Sequence, residues 1–153
     1  MTGVIEARLA ELGETLPAAP APAANYVPWV RTGDLVFVSG QVSQNAQGLV
    51  KGMLGADMNV SAGAEAAKLC ALSLIAHVKA ACGGDLDRVR RVVKLTGFVN
   101  SAPGFMDQPR VVNGASDFLV AVFGEAGRHS RSAVGAALPF GCAVEIEAVF
   151  EVV

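Results

Sequence analysis

The chain has 153 residues, of which 52% are hydrophobic and 17% are charged, so it is expected to form one domain with a buried core rather than a disordered chain. Its net charge of −2 and its lack of a basic run argue against nucleic acid as the main partner, because phosphate binding needs an electropositive face. No apolar stretch reaches the ~18 residues that a membrane-spanning helix requires, so no membrane association is predicted.

Cysteines and histidines are too few and too scattered to predict a metal site. Cys70, Cys82 and Cys142 lack CxxC spacing, and His77 and His129 are the only histidines in the sequence. The three glutamates among the first sixteen residues do not fit a secretory signal. These features predict a reduced, cytoplasmic protein without a metal, in which Cys70 belongs to the core.

The N-terminal segment predicts a short helix over residues 4–13, because Ile5 and Leu9 share one helical face. The run PAAPAPAA that follows favours an extended linker, since closely spaced prolines cannot continue a helix. We therefore divide the chain into a helix with its linker at 1–24 and a main domain at 25–153.

The main domain begins with two predicted strands in the segment YVPWVRTGDLVFVSGQV, joined by a hairpin turn at residues 32–34. Residues 35–38 are apolar on both faces of the second strand, so this strand is expected to be buried on both sides. A turn at Gln47-Gly48 precedes a further short strand near residues 49–51.

The clearest predicted helix covers residues 61–82, where apolar residues recur at intervals of three and four. Ser61 is its expected N-cap, and Gly83-Gly84 ends it. His77 lies beside the apolar stripe and is expected at the surface or its boundary.

The remaining elements are a strand, a helix and two strands. The strand covers 91–100, and the helix covers about 107–124 with Asp107 as a plausible N-cap. The last two strands, 131–137 and 142–151, are expected to form a C-terminal hairpin.

This order predicts an α+β fold, ββ(β)αβαββ, with a roughly six-stranded mixed sheet and two long helices on one face. The helices cover only one face of such a sheet. The strand at 35–38 is apolar on both sides, so an apolar partner should cover the second face. We therefore expect an oligomer in which the sheets of several subunits pack together.

The C-terminal segment combines one arginine with several acids. In the last strand the apolar residues share one face, while Glu145 and Glu147 share the other. Arg131 begins the preceding strand, and a guanidinium can hold a carboxylate through two hydrogen bonds. The acids fit either a solvated stripe or a pocket, and Arg131 fits either a surface ion pair or a site for an anion.

Four segments in order carry a family resemblance: NYVPWVRTGDLVFVSGQ, VVNGASD, RSAVGAALP and VEIEAVF. Together they resemble the Rid family, also called YjgF or reactive intermediate/imine deaminases and earlier grouped with L-PSP-type endoribonucleases. The resemblance covers residues 25–153, and the chain is similar to a branch with an added N-terminal helix.

The resemblance implies a chorismate-mutase-like fold and a homotrimer with a site between each pair of subunits. It implies hydrolysis of 2-imino and enamine acids, of the 2-aminoacrylate type, to 2-keto acids and ammonia, with no cofactor. The implied partners are thus a small imino or keto acid and further copies of the chain.

The resemblance also assigns roles to individual residues. Arg131 matches the arginine that grips the substrate carboxylate, and Glu145 matches the glutamate that positions or activates water. The implied substrate-binding residues are Tyr26, Ser39, Gly40 and Asn113. Ala133 stands where well-studied members often have cysteine, and the segment from Arg131 to Pro139 is one residue shorter than in that family.

Two other functions are compatible with the same residues. The first is a non-catalytic protein that binds small carboxylates in the arginine cleft. The second is an endoribonuclease, against which the acidic composition and the lack of a catalytic histidine pair argue.

Overall fold

The computed structural model describes residues 2–153. Its helices are α1 (Val4–Glu11), α2 (Val60–Ala81) and α3 (Gln108–Phe123). Its strands are β1 (Trp29–Thr32), β2 (Leu35–Val42), β3 (Gln44–Asn45), β4 (Gly48–Leu49), β5 (Val89–Asn100), β6 (Ser130–Ala136) and β7 (Val144–Val152). The predicted α+β class is confirmed.

The main sheet has five strands in the order β1-β2-β7-β5-β6. Strands β5 and β6 are parallel, and the other neighbouring pairs are antiparallel, so the sheet is mixed as predicted. The predicted sixth strand near residues 49–51 does not join it. That segment contributes β4, which pairs with β3 in a separate two-stranded ribbon, because the turn between them brings two very short strands together.

The predicted C-terminal hairpin is wrong, because β5 lies between β6 and β7. Helix α3 carries the chain from the end of β5 back to its start, and β6 therefore runs parallel to β5. The chain then crosses to the other side of β5, where β7 pairs antiparallel with both β5 and β2. Strand β6 is thus an edge strand, and β7 lies at the centre of the sheet.

The core lies between the sheet and helices α2 and α3, which pack against the same face. The alternation in β7 is confirmed, since Val144, Ile146 and Phe150 are fully buried in this layer. The two helices approach closely at Gly114. A Cβ atom there would overlap the carbonyl of Ala64, so this crossing requires glycine.

Residues 2–153 form no layer that covers the opposite face of the sheet. Val36 and Val38 of β2 point into the core, but Leu35 and Phe37 point to the other side, where Phe37 is 46% exposed. Within one subunit this strand is therefore buried on one side only, and the expected cover of its second side by another subunit stays a prediction. Val30, which pairs with Phe37, extends the exposed apolar surface.

Helix α1 packs onto the main domain. The Asp87 carboxylate accepts hydrogen bonds from the backbone N–H groups of Val4 and Ile5, both at 3.0 Å. Arg8 Nη1 donates to the Val122 carbonyl at 3.0 Å, and Leu9 is buried in the common core. The predicted helix is thus confirmed, and the proposed division at residue 25 stays a prediction.

The ends of the long helices differ in detail from the predictions. The N-cap of α2 is Asn59 rather than Ser61, since the Asn59 Oδ1 atom accepts a hydrogen bond from the Ala62 N–H at 2.8 Å. Asp107 occupies the N-cap position of α3 but makes no capping hydrogen bond. Its carboxylate lies 3.6 Å from Nη1 of Arg110 instead.

His77 is not a surface residue, because only 2% of it is exposed. The Pro/Ala linker runs along α2, with Leu16 packed on the core and the backbone of Pro20 beside the imidazole. The periodicity of α2 alone does not show that the linker covers His77. Cys70 is fully buried, as predicted.

Candidate functional site

A cleft of about 620 Å³ opens beside the start of β7. Its lining comprises residues 20–24 of the linker, Tyr26, Pro28, Gly40, Gln41, Val42, Gln44, Leu49, Pro139, Phe140 and Glu145. Most of these side chains are apolar or small, and Glu145 is the ionisable carboxylate among them. The cleft can therefore enclose a small organic molecule next to one acid.

Glu145 projects from β7 on the face of the sheet away from the helices. Within residues 2–153 its carboxylate has no hydrogen-bond or ion-pair partner. Burial, and then the neighbouring Glu147 carboxylate, raise the pKa of Glu145 above its usual value. A half-buried carboxylate with a raised pKa is a stronger base than an exposed one and can serve as a proton acceptor.

Gly40 allows Glu145 to occupy this position. The pairing between β2 and β7 shifts between Val38 and Gln41, which places Ser39 and Gly40 in a β-bulge. A Cβ atom on Gly40 would overlap Oε2 of Glu145 and lie 3.1 Å from its Cδ atom. The missing side chain at residue 40 therefore provides the space that the carboxylate fills.

Ser39 supports the cleft wall rather than lining the cleft. Its hydroxyl donates to the Val27 carbonyl at 2.7 Å, and its N–H donates to the Pro28 carbonyl at 2.9 Å. The side-chain amide of Gln41 donates to the Ser39 carbonyl at 2.8 Å. These bonds hold the segment that carries Tyr26 against the bulge.

Tyr26 lines the same cleft and is 47% exposed. Its hydroxyl oxygen accepts a hydrogen bond from the Ala23 N–H at 3.3 Å, which ties it to the linker. The hydroxyl proton remains available for a ligand. The structure thus brings Tyr26, Gly40 and Glu145 to one cleft, with Ser39 behind it.

Arg131 and Asn113 lie in a different place. Arg131 pairs with Leu95, whose side chain points to the helix layer, whereas Glu145 pairs with Phe98 on the opposite face. Within one chain, Arg131 and Glu145 therefore do not belong to one site.

Arg131 contributes to a small polar groove of about 240 Å³ next to α3, lined by Asn113, Ser116, Asp117, Val120, Arg128, His129 and Arg131. Its Nη1 donates to Ser116 Oγ at 3.0 Å, and its Nη2 donates to the Pro109 carbonyl at 2.9 Å. Ser116 also lies 2.9 Å from Nε2 of His129. The arginine is thus held against α3 rather than extended into solvent.

Several lining residues were missed by the sequence interpretation. The linker at 20–24 and Phe140 line the cleft, but nothing in their local pattern distinguishes them from ordinary loops. Ser116 lies inside the segment VVNGASD, in which the resemblance assigns a role only to Asn113. His129 is one of two histidines in the sequence, and only the fold brings it into contact with Ser116.

In the part of the chain that the structure describes, no group of three or more His, Cys, Asp or Glu side chains could hold a metal ion. None of the helices formed by residues 2–153 combines the length and apolar character needed to cross a membrane.

Comparison with known proteins gives consistent matches. The family model described as "YjgF/chorismate mutase-like, putative endoribonuclease" matches residues 6–145. Protein TCP17 of Trypanosoma cruzi is 53% identical, and the match covers 98% of this chain and 95% of that protein.

Two solved structures are similar over nearly the whole chain. The protein Atu1372 of Agrobacterium tumefaciens is 49% identical with a TM-score of 0.90, covering 98% of this chain and 94% of that one. A putative endoribonuclease from Shewanella oneidensis is 37% identical with a TM-score of 0.92, covering 97% and 99%. RidA from an Antarctic Psychrobacter is less similar, at 25% identity and a TM-score of 0.57, covering 88% and 94%.

Proposed function

Because the chain belongs to the YjgF/chorismate-mutase-like family, we propose that it hydrolyses 2-imino and enamine acids of the 2-aminoacrylate type to 2-keto acids and ammonia. The observation that carries this proposal is Glu145, a half-buried and unpaired carboxylate with a raised pKa at the wall of a small cleft. The similarity to a protein named RidA supports the same reaction class.

The reaction needs a positioned water and modest proton transfer. The enamine first takes its imine form, water adds to the C=N carbon, and the C–N bond breaks to give a C=O group and ammonia. Glu145 accepts a proton from the attacking water and returns it to the nitrogen, which gives a carbinolamine. The hydroxyl proton of the carbinolamine then passes to the same nitrogen as the C–N bond breaks, so both protons of the water leave with ammonia and Glu145 ends in its starting state. Tyr26 can donate its hydroxyl proton to the bound molecule.

The substrate carboxylate requires a cation, and the cleft of one chain offers none among its lining residues. Arg131 supplies this cation from a second subunit in our proposal, since it lies on the opposite face of its own sheet from Glu145. The exposed apolar residues Val30 and Phe37 support an assembly through the uncovered face. We take the assembly to be a homotrimer with sites between subunits.

A coupled assay tests this function. An amino-acid oxidase or a pyridoxal-phosphate-dependent dehydratase generates the imine, and the purified protein should accelerate its loss. The Arg131→Ala variant should lose about 100-fold or more in kcat/KM, because a charge-assisted carboxylate contact disappears. Arg128→Ala is the matched control, since Arg128 lines the same groove but binds Glu125 at 3.0 Å, and it should stay within about twofold of wild type.

Other outcomes identify the alternatives. A thermal shift with 2-oxobutanoate but no acceleration of imine loss would instead indicate a carboxylate-binding protein. An RNA-cleaving activity would support an endoribonuclease if it co-purifies with the folded protein and is absent from the Arg131→Ala variant. We propose a cytoplasmic location, which the free thiols of Cys70, Cys82 and Cys142 support because thiols stay reduced in that compartment.

A further inference from the structure

Arg131 is held by a chain of hydrogen bonds that ends in a histidine. Its Nη1 atom lies 3.0 Å from Ser116 Oγ, which in turn lies 2.9 Å from Nε2 of His129. The other ring nitrogen of His129, Nδ1, lies 2.6 Å from the Gly127 carbonyl oxygen. These contacts join α3, the turn after it and β6 at one point.

In this series of three hydrogen bonds, the chemistry of the two end groups decides which atom donates and which accepts. The Gly127 carbonyl can only accept, so Nδ1 of neutral His129 carries the proton. Nε2 then accepts from the Ser116 hydroxyl, and Ser116 Oγ accepts from Arg131, which can only donate. The hydroxyl proton of Ser116 and one of its two lone pairs are thus used, with the lone pair directed at the guanidinium.

We propose that Ser116 and His129 are positioning residues that fix the Arg131 guanidinium for a substrate carboxylate. This inference rests on the proposed function. Two of the five N–H donors of Arg131 are used by Ser116 and the Pro109 carbonyl, so three remain for a ligand. A fixed planar fork loses less conformational entropy on binding a carboxylate than a free arginine does.

The arrangement depends on a neutral imidazole. Burial, and to a smaller extent Arg131, lower the pKa of His129, while the Gly127 carbonyl opposes this shift. The charged groups that line the groove with it are Asp117 on α3, Arg128 beside it in the chain and Arg131 on β6.

Protonation of His129 changes the bonding at Ser116. Nε2 then donates instead of accepting, so the serine oxygen faces two cationic donors and its own proton has no acceptor there. Because the pKa of His129 is lowered, this change in the hydrogen bonds of Ser116 occurs only on the acid side of the usual histidine range. Carboxylate binding should therefore weaken as the pH falls through the titration of His129.

The test measures binding of 2-oxobutanoate by calorimetry together with kcat and KM for imine hydrolysis. Ser116→Ala should raise both Kd and KM about tenfold with little change in kcat, because Arg131 holds the carboxylate in the ground and transition states alike. Ser116→Thr keeps the hydroxyl and should stay within about threefold of wild type. In His129→Gln, the acid-side rise in Kd should disappear, because glutamine does not titrate.

The outcomes separate this inference from the proposed function. If wild type binds 2-oxobutanoate and Ser116→Ala weakens binding while no imine is hydrolysed, the function fails and the positioning role stands. If Arg131→Ala abolishes binding but Ser116→Ala binds like wild type, the positioning role is overturned. Failure of the wild type to bind 2-oxobutanoate overturns it as well. Nitrogen NMR gives a direct check, since finding the proton on Nε2 of neutral His129 would contradict the chain of bonds.

Discussion

Replacing Gly40 with alanine should displace the Glu145 carboxylate while leaving the fold intact. Gly40 does not have a positive φ, so the backbone accepts alanine at this position. The added Cβ would overlap Oε2 and lie 3.1 Å from Cδ of Glu145, where ordinary contacts begin at 3.4 Å. The atoms in conflict are at the end of a flexible side chain, so the carboxylate moves rather than the strand.

The size of the effect follows from this displacement. Relief of the overlap requires the carboxylate to retreat by about 1 Å, and a misplacement of that size costs about 100-fold when the group acts on a bound reactant. Stability should change by less than about 1 kcal/mol, because no buried apolar contact is lost. The expected result is therefore a large fall in kcat with a nearly unchanged melting temperature.

The assay combines imine hydrolysis with a double-mutant cycle. Gly40→Ala is measured in the wild-type chain and in the Glu145→Gln chain, with thermal melting of all four proteins as the folding control. If the substitution acts through Glu145, it should change the residual rate of the Glu145→Gln chain by less than about threefold. An equal loss in both backgrounds, or full activity in Gly40→Ala, would refute the assigned role of Glu145.

Three further predictions concern charge, backbone strain and helix docking. Glu147→Gln removes the like charge that helps raise the pKa of Glu145, so the acid limb of the kcat/KM profile should move to lower pH, and Glu151→Gln is the control that should leave it in place. Phe140 has φ 61° and is 63% exposed at the cleft rim, so Phe140→Gly should be about 1 kcal/mol more stable than Phe140→Ala in urea unfolding, and equal stability would argue against strain there. Asp87→Ala removes the carboxylate that anchors α1, so amide exchange in the first turn of α1 should accelerate. Because those two N–H groups lower the pKa of Asp87, the anchor is intact at neutral pH and weakens in wild type only as the pH falls through that lowered pKa. Unchanged exchange would contradict this anchoring.

Local patterns predicted the elements of the fold well. The alternation in β7 and the stripe of α2 follow from which side chains meet the core, and that information is contained in the spacing of the residues. The hairpin of β6 and β7 was wrong because a short connection indicates proximity but not pairing, and the slot beside β6 is already filled by β5. Burial of His77 was missed because its cover comes from the distant linker.

The candidate site was only partly visible in the sequence. The resemblance pointed to Tyr26, Gly40 and Glu145, and the fold does bring these residues to one cleft, although their roles stay predictions. The resemblance could not show that Arg131 lies on the other face of the sheet from Glu145. The face on which a side chain lies depends on how the strands pair, and the spacing of residues in the sequence does not give that pairing. Ser116 and His129 come into contact only in the folded chain, so no local sequence motif predicts their hydrogen bond.

Subunit complementation tests the shared site most directly. Arg131→Ala and Glu145→Gln are each expected to be nearly inactive, since each removes one half of every site. Mixing the two variants under conditions of subunit exchange should restore about a quarter of wild-type imine hydrolysis, because one interface in four then combines an intact Arg131 with an intact Glu145. A mixture that remains as inactive as its components, despite proven exchange, would contradict a site built from Arg131 of one subunit and Glu145 of another.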